Sequence, residues 1–381
     1  MDIFDTYPQG YWVVNGKKFL NKYQALLESR GTNKKPQWIY FDHVWENFDQ
    51  SLLGKFSLQE LYLQNAKRLR EKYDYLILYF SGGADSYNIL RTFLDNNIKI
   101  DEICVKWASM ALKSNVQVYN PNQTDVWCTN YISEWDFAIK PVLEEVAKTH
   151  PEINIEIVDW TNNLNVNLEK AFEIVNHWHD IEVPSLAVWS PNERKLTDQG
   201  KRVGSIYGID KPLTYFNNGN SYMVFNDPAV TIATPNPANI QGTEMFYWTP
   251  EFPLLAFEMA HVTIKWLKSD PVLFNSIAYY PEKEKNKYEL DLAYQKQQRL
   301  MRNILYNNWT GRFQALKSET LDRVDKQAPL LRLPEFKKYK QEFDSLIKSS
   351  TTDIDRICLF KRGSSVSYSP CFSKHHLLRT N

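Results

Sequence analysis

Several features that would define a protein class at once are missing from this 381-residue sequence. No apolar run approaches the ~18 residues of a membrane-spanning helix, and the polar start Met1-Asp2-Ile3-Phe4-Asp5 is unlike a secretory signal. Neither a GxxxxGK(S/T) loop nor a GxGxxG fingerprint occurs, which disfavours simple kinase-type and dinucleotide-type sites. Because the sequence has no membrane-spanning run and no secretory signal, we expect a cytoplasmic protein with no membrane partner.

Cysteine is scarce and widely scattered. The sequence has no CxxC pair and no Cys/His spacing typical of a zinc site, and its cysteines are Cys104, Cys128, Cys358 and Cys371. This pattern indicates structural thiols in a reducing compartment.

Neither sign of charge is in excess. Lys plus Arg and Asp plus Glu number 45 each, so no global field draws the chain to nucleic acid or to an anionic membrane. A nucleic-acid partner remains possible through a local patch but is not favoured over a small molecule. A hydrophobic content of 43% and a charged content of 24% are ordinary for a globular protein. The sequence carries no signal of the oligomeric state.

The most informative segment present is Ser81-Gly82-Gly83-Ala84-Asp85-Ser86. It follows an apolar run over residues 75–80 and precedes a helix-like apolar pattern. A strand, a Gly-rich turn and a helix start together point backbone N–H groups at an anion. The glycines allow a tight turn and close approach of a ligand, the two serines add hydroxyl donors, and Asp85 is a candidate magnesium ligand. The alternative is a turn that only joins a strand to a helix.

The SGGxDS pattern of residues 81–86 resembles the signature of the PP-loop ATP pyrophosphatases, which include asparagine synthetase-like enzymes, tRNA-modifying ligases and nucleobase-modifying synthetases. The resemblance implies ATP and Mg²⁺ as cofactors. It also implies a ligase reaction in which a small-molecule or nucleobase oxygen attacks the α-phosphate, pyrophosphate leaves, and an amine displaces AMP. Pyrophosphate and magnesium would be held by Ser81, Gly82, Gly83, Asp85 and Ser86. The flanks outside the motif resemble uncharacterised phage-encoded PP-loop proteins.

Two further pairs of candidates lie at predicted strand ends. Asp210 and Lys211 follow a buried strand and would reach the same rim of a parallel sheet as the loop at residue 81. There Asp210 would support magnesium and Lys211 would neutralise phosphate charge in the transition state; the alternative is a turn fixed by Pro212. Lys106 and Trp107 end another strand, where family members contact adenine or ribose, although Trp107 could equally pack in the core.

Local patterns predict several elements. Ser57-Leu58-Gln59-Glu60 fits a capping box that opens a helix through about Lys72, with one buried apolar stripe formed by Leu58, Leu61, Tyr62 and Leu69. Residues 184–189 are interpreted as a short strand, and residues 213–225 as a hairpin that turns at 217–220. The charge-laced segment 281–349 is predicted to be helical.

Strands and helices alternate from residue 57 onward, which predicts an α/β protein with a parallel sheet covered by helices on both faces. The resemblance narrows this to a Rossmann-like fold of the adenine nucleotide alpha hydrolase (HUP) type. We predict an aromatic-rich amino-terminal cap over residues 1–56 and a PP-loop ATP-binding domain over 57–230. A mainly helical substrate-side region with a basic carboxy-terminal tail would fill 231–381. The tail is expected to be disordered, or a flap over phosphates.

Two alternative functions use the same type of loop. Sulfonucleotide reductases employ a thiol nucleophile, and Cys371 lies in the carboxy-terminal segment, although its surroundings do not match the cysteine motif of that family. The other alternative is a non-catalytic nucleotide-binding module. The paired cysteines of the thiolating and zinc-bearing branches are absent, and no cysteine precedes Cys104 to act as an amino-terminal glutaminase nucleophile. Ammonia would then come from solution or from a partner.

Overall fold

The computed structural model describes residues 2–29, 32, 34, 36–107, 135–159, 188–209, 211–217, 219–227, 233, 235–272, 274, 301–306, 361–362, 365–366 and 373–379. Within these ranges no helix is long and apolar enough to span a membrane.

The amino-terminal region forms a small antiparallel sheet with short helices. Its elements are α1 (Ile3–Thr6), β1 (Tyr11–Val14), β2 (Lys17–Phe19), α2 (Lys22–Ser29), β3 (Gln37–Ile39) and α3 (Asp42–Glu46), and the strand order is β2-β1-β3. Asn15 and Gly16 have positive φ values of 52° and 78°, as a tight β1–β2 turn requires. The buried rings of this region belong to the same core as the strands of the main sheet; they are Trp12, Trp38, Tyr40 and Trp45.

Helix α4 (Leu58–Lys72) begins at the capping box that the sequence predicts. The Ser57 hydroxyl accepts from the Glu60 amide at 3.3 Å, and the Glu60 carboxylate accepts from the Ser57 amide at 2.7 Å. These bonds satisfy amide groups that a helix start otherwise leaves open. The predicted apolar stripe of α4 is buried.

The central layer follows in chain order, and its strands and helices alternate as predicted. They are β4 (Tyr75–Tyr79), α5 (Ala84–Asp95), β5 (Glu102–Trp107), a π-helical turn (Trp135–Ile139) leading into α6 (Lys140–Thr149), β6 (Asn154–Asp159), α7 (Pro191–Asp198), β7 (Val203–Tyr207), the hairpin β8 (Leu213–Asn217) and β9 (Asn220–Val224), β10 (Thr243–Met245) and α8 (Pro253–Ser269). Gly200 ends the α7 region with a φ of 80°.

The main sheet has five parallel strands in the order β10-β7-β4-β5-β6. The chain runs outward from β4 through β5 to β6 and then returns to the other side of β4 with β7. This reversal makes the carboxyl ends of β4 and β7 a topological switch point, where open α/β sheets bind ligands.

Helices flank both faces of this sheet. Side chains alternate between the two faces of a strand. On one face, a Cβ at Gly208 would meet the start of α5. On the other face, the neighbouring Tyr207 stacks on Tyr79. Tyr79 in turn donates a hydrogen bond to Glu193 of α7. The protein is therefore an α/β protein with a Rossmann-like parallel sheet, as predicted.

Two local predictions are contradicted in part. The strand predicted over 184–189 does not include residues 188–189, which are irregular because they lead to the α7 N-cap Ser190, whose amide donates to the Tyr79 hydroxyl at 3.0 Å. Residues 184–187 lie outside the described residues. The disordered tail is contradicted for residues 373–379, because β13 (His376–Leu378) pairs with β9 after the short strands β11 (Lys361–Arg362) and β12 (Ser365–Val366). The alternative of a flap over phosphates stays a prediction. The burial of His376 and Leu378 explains why residues 373–379 are ordered.

The predicted domain limits at residues 56 and 230 stay predictions. Strand β10, at residues 243–245, belongs to the main sheet. Of the segment 281–349, predicted to be helical, the described part is 301–306, in which residues 301–305 are helical.

Candidate functional site

The SGGxDS loop connects β4 to α5 at the switch point. Gly82 adopts a φ of 74°, and a Cβ there would lie 2.8 Å from the Ile139 side chain and 3.0 Å from that of Ala138. Only glycine fits this conformation beneath the π-helical turn without strain. Gly83 is the N-cap residue of α5 and provides no side-chain cap for the first-turn amides. The local fold thus has the form of an anion site at a helix amino terminus.

The two serines of the motif hold the loop together. The Ser86 hydroxyl accepts from the Ser81 amide at 3.2 Å and donates to the Gly83 carbonyl at 3.2 Å. The Gly83 amide reaches the Ser81 hydroxyl at 3.4 Å. Ser86 is buried, whereas Ser81 is exposed, so Ser86 fixes the loop and Ser81 remains at the surface where a ligand would bind.

Strand β7 delivers Lys211 to the same loop. Gly208 lies so close to α5 that a Cβ would stand 2.8 Å from the Ser86 amide nitrogen. Just beyond it, the Lys211 ammonium lies 2.9 Å from Asp85 Oδ1, with side-chain exposures of 1% and 19%. The sequence predicts that Lys211 lies on the same rim of the sheet as the loop. In the structure Lys211 and Asp85, both predicted site residues, are in direct contact.

Asp85 also has partners that the sequence did not indicate. Its Oδ1 accepts a hydrogen bond from the Tyr306 hydroxyl, and its carbonyl accepts from Tyr247 at 2.9 Å. Burial raises the pKa of the Asp85 carboxyl, but the charges of Lys211 and Arg302 and the hydrogen bonds outweigh burial, so this pKa lies below its ordinary value. Asp85 is therefore an anion at neutral pH.

A second polar group lies beside the loop, on the sheet face covered by α7. The Lys106 ammonium sits 5.0 Å from the ring centre of Tyr79 and 5.6 Å from that of Tyr207, and these rings stack at 4.5 Å. Burial lowers the pKa of Lys106 to about 8, although Cys104 and Glu193 act in the opposite direction. Glu193, wholly buried at the start of α7, accepts from Tyr79 at 2.7 Å.

Trp107 lies in the packed interior. The residue is 6% exposed, and its ring stands 4.3 Å from the ring of Trp135, the first residue of the π-helical turn over Gly82. In this arrangement Trp107 supports the turn that covers the loop, and base stacking by Trp107 stays a prediction.

Magnesium would find one carboxylate among the described residues of this site, Asp85. Asp210, the other predicted metal ligand, lies outside the described residues, as does Cys371. No group of three His, Cys, Asp or Glu side chains within the described part of the chain could hold a metal ion. Mg²⁺ characteristically keeps several waters and binds through one or two carboxylates and substrate phosphates. The ionised Asp85 therefore fits a metal that arrives with a nucleotide.

Sequence reasoning missed three residues that contact or polarise Asp85: Tyr247, Arg302 and Tyr306. Arg302 and Tyr306 lie in a long charge-laced stretch with no motif, and Tyr247 follows β10 in an aromatic run. No local pattern marks these positions, because only the tertiary fold brings them to the loop.

Comparison with known proteins identifies no relative: no family model, no curated protein and no solved structure matches this chain. The function must therefore be argued from the site.

Proposed function

We propose that the protein is an ATP-dependent ligase of the PP-loop type, which forms AMP and releases pyrophosphate. The observation that carries this proposal is the SGGxDS loop at the switch point of a parallel sheet, with the buried Lys211 paired to Asp85 at 2.9 Å. A glycine-rich helix start and a buried lysine together suit a polyphosphate. In fold terms, the proposal assigns the Rossmann-like sheet to the adenine nucleotide alpha hydrolase (HUP) type.

Each residue of the site would have a role that follows from its position. Backbone amides of the loop, with the exposed Ser81 hydroxyl, bind the phosphates that leave as pyrophosphate. Lys211 stabilises the negative charge that builds on the leaving group, and Tyr306 and Tyr247 hold Asp85 in orientation. Magnesium, bound with the nucleotide, would neutralise phosphate charge, and Asp85 would hold it.

The reaction proposed is adenylation followed by amide-type substitution. An oxygen of a small-molecule or nucleobase substrate attacks the α-phosphorus, and the bond to the bridging oxygen of pyrophosphate breaks. An amine then attacks the adenylated carbon, AMP departs with the oxygen, and the amine loses a proton. Lys106, whose pKa of about 8 leaves it a cation at neutral pH, would bind phosphate or ribose oxygens.

The test is to follow the products of ATP. The protein is incubated with Mg²⁺, α-labelled ATP and a pooled metabolite extract, beside an Asp85→Asn variant that keeps the shape of the side chain. A Ser57→Ala variant, changed at the N-cap of α4, serves as the control, and melting curves confirm that each variant is folded. We expect labelled AMP or an adenylate in amounts equal to pyrophosphate, lost in Asp85→Asn and kept in Ser57→Ala. Labelled ADP, or ATP that binds without conversion, would contradict adenylation.

A further inference from the structure

Arg302 is a half-buried cationic residue whose charge acts on Asp85 of the loop. It lies in the helical residues 301–305, one helical turn before Tyr306, whose amide bonds to the Arg302 carbonyl at 2.9 Å. Its Nε atom is buried, and within the described residues this atom has no hydrogen-bond partner. The guanidinium is close enough to Asp85 for its charge to lower the pKa of that carboxyl.

The charges in this cluster do not balance. Asp85 and Lys211 form a direct pair and cancel one another. The three surrounding tyrosines are neutral, because burial raises the pKa of Tyr62, Tyr247 and Tyr306 well above its ordinary value. Arg302 therefore adds one positive charge that no carboxylate of its own neutralises in the described part of the chain.

An unbalanced charge in a partly buried site costs free energy unless an anion meets it, and the buried Nε of Arg302 needs a hydrogen-bond acceptor. The missing partner is thus an anion that enters the site. A guanidinium offers planar, paired N–H donors that match two oxygens of one phosphate or bridge two phosphates. The neighbouring loop already presents a helix start to the same ligand.

We propose that Arg302 is a further anion-binding residue of the site and that its ligand is the polyphosphate chain of the nucleotide, rather than the base or the ribose. This inference rests on the proposed function. It gives the carboxy-terminal region a direct part in the chemistry: Tyr306 positions Asp85, and Arg302 binds the pyrophosphate portion that leaves. A nucleotide that lacks the β- and γ-phosphates would gain little from Arg302.

The experiment compares binding of Mg-ATP and of AMP by calorimetry. The variants are Arg302→Gln, Arg302→Lys and, as a matched control, Arg194→Gln, which alters an arginine whose side chain is 76% exposed. We expect Arg302→Gln to weaken Mg-ATP binding by roughly tenfold or more, the effect of losing a charge-assisted hydrogen bond. AMP binding should change less than twofold, and Arg302→Lys should recover part of the loss.

A melting curve separates ligand binding from a structural role. Because Arg302→Gln removes an unbalanced, partly buried charge, the ligand-free variant should be at least as stable as the native chain. Equal Mg-ATP affinity in native and Arg302→Gln protein would overturn the inference, and so would an equal loss of ATP and AMP binding. If the native protein binds neither nucleotide, the proposed function itself fails, and that result is distinct from both of these.

Discussion

Lys106 is a half-buried residue that combines a cost in stability with a candidate role in binding. Its ammonium lies over two stacked tyrosine rings, and burial lowers its pKa to about 8. A lysine that is partly neutral near pH 8 is easily recharged by an incoming phosphate. The sequence marked Lys106 only by its place at a strand end, and its ring contacts follow from the pairing of β4 with β7.

Replacing Lys106 with methionine should therefore change the pH dependence of stability. Between pH 8 and 10.5 the unfolded chain binds a proton that the folded chain has lost, so the native free energy of unfolding rises with pH in this window. At pH 7 the Lys106→Met variant should be more stable by up to about 3 kcal/mol, because the pKa of Lys106 falls from 10.5 to about 8 on folding, and this gap should shrink by pH 10. Urea unfolding at both pH values measures it. A Lys67→Met variant, at an exposed position of α4, should show no such trend; a gap for Lys106→Met that stays constant with pH would contradict the account.

At the scale of elements, local signals in the sequence were sufficient where structure depends on neighbours in the chain. The Ser57–Glu60 capping box, the glycine turn of β8 and β9 and the loop before α5 all formed as predicted. Strand order and residues brought in from afar were not predictable, because both depend on tertiary packing. Arg302 and Tyr306 reach Asp85 across more than 200 positions of chain, as the separation of 221 between Tyr306 and Asp85 shows.

Contact between the end of β7 and the start of α5 makes Gly208 a sensitive position. A methyl group there would meet backbone atoms of Ser86 at 2.8 and 2.9 Å, and backbone cannot rotate away. We expect Gly208→Ala to cost about 1–3 kcal/mol of stability and to weaken Mg-ATP binding, because it moves Lys211 relative to Asp85.

The matched variant is Gly200→Ala, which has a φ of 80° but open space around the added methyl group. It should lose about 1 kcal/mol through backbone strain alone and keep its ATP affinity. Calorimetric titrations and urea unfolding of both variants decide the matter, and an equal effect on binding would argue against this coupling of β7 to the loop.

On the scale of the whole molecule, segments that are far apart in the sequence are in contact. Strand β13 pairs with β9, and the Gln50 side chain donates to the Leu377 carbonyl at 2.7 Å and accepts from the Arg379 amide at 2.8 Å. Lys374 bonds to Glu46 at 2.7 Å. The last described residues thus link the amino-terminal cap to the hairpin, a contact that no sequence pattern announced.

Adjacent leucines in β13 test this closure. Leu378 is 3% exposed and belongs to the core, whereas Leu377 is 45% exposed. Leu378→Ala should lower the free energy of unfolding by about 2–4 kcal/mol, and Leu377→Ala should lower it by less than about 1 kcal/mol. Chemical unfolding of the two variants measures the difference, and similar losses would show that β13 does not hold the molecule together in this way.

The most direct test of the central claim is the affinity of the native protein and of Gly83→Ala for Mg-ATP, measured by calorimetry. Gly83 has an ordinary φ of −75°, and an added Cβ would approach no atom closer than Ser81 Oγ at 3.4 Å. The fold should therefore accept the methyl group, while phosphates that lie against the loop should not. We predict that native protein binds Mg-ATP and that Gly83→Ala keeps its melting temperature but binds at least about tenfold more weakly. No binding by the native protein, or equal binding by both, would contradict the assignment of residues 81–86 as a nucleotide site.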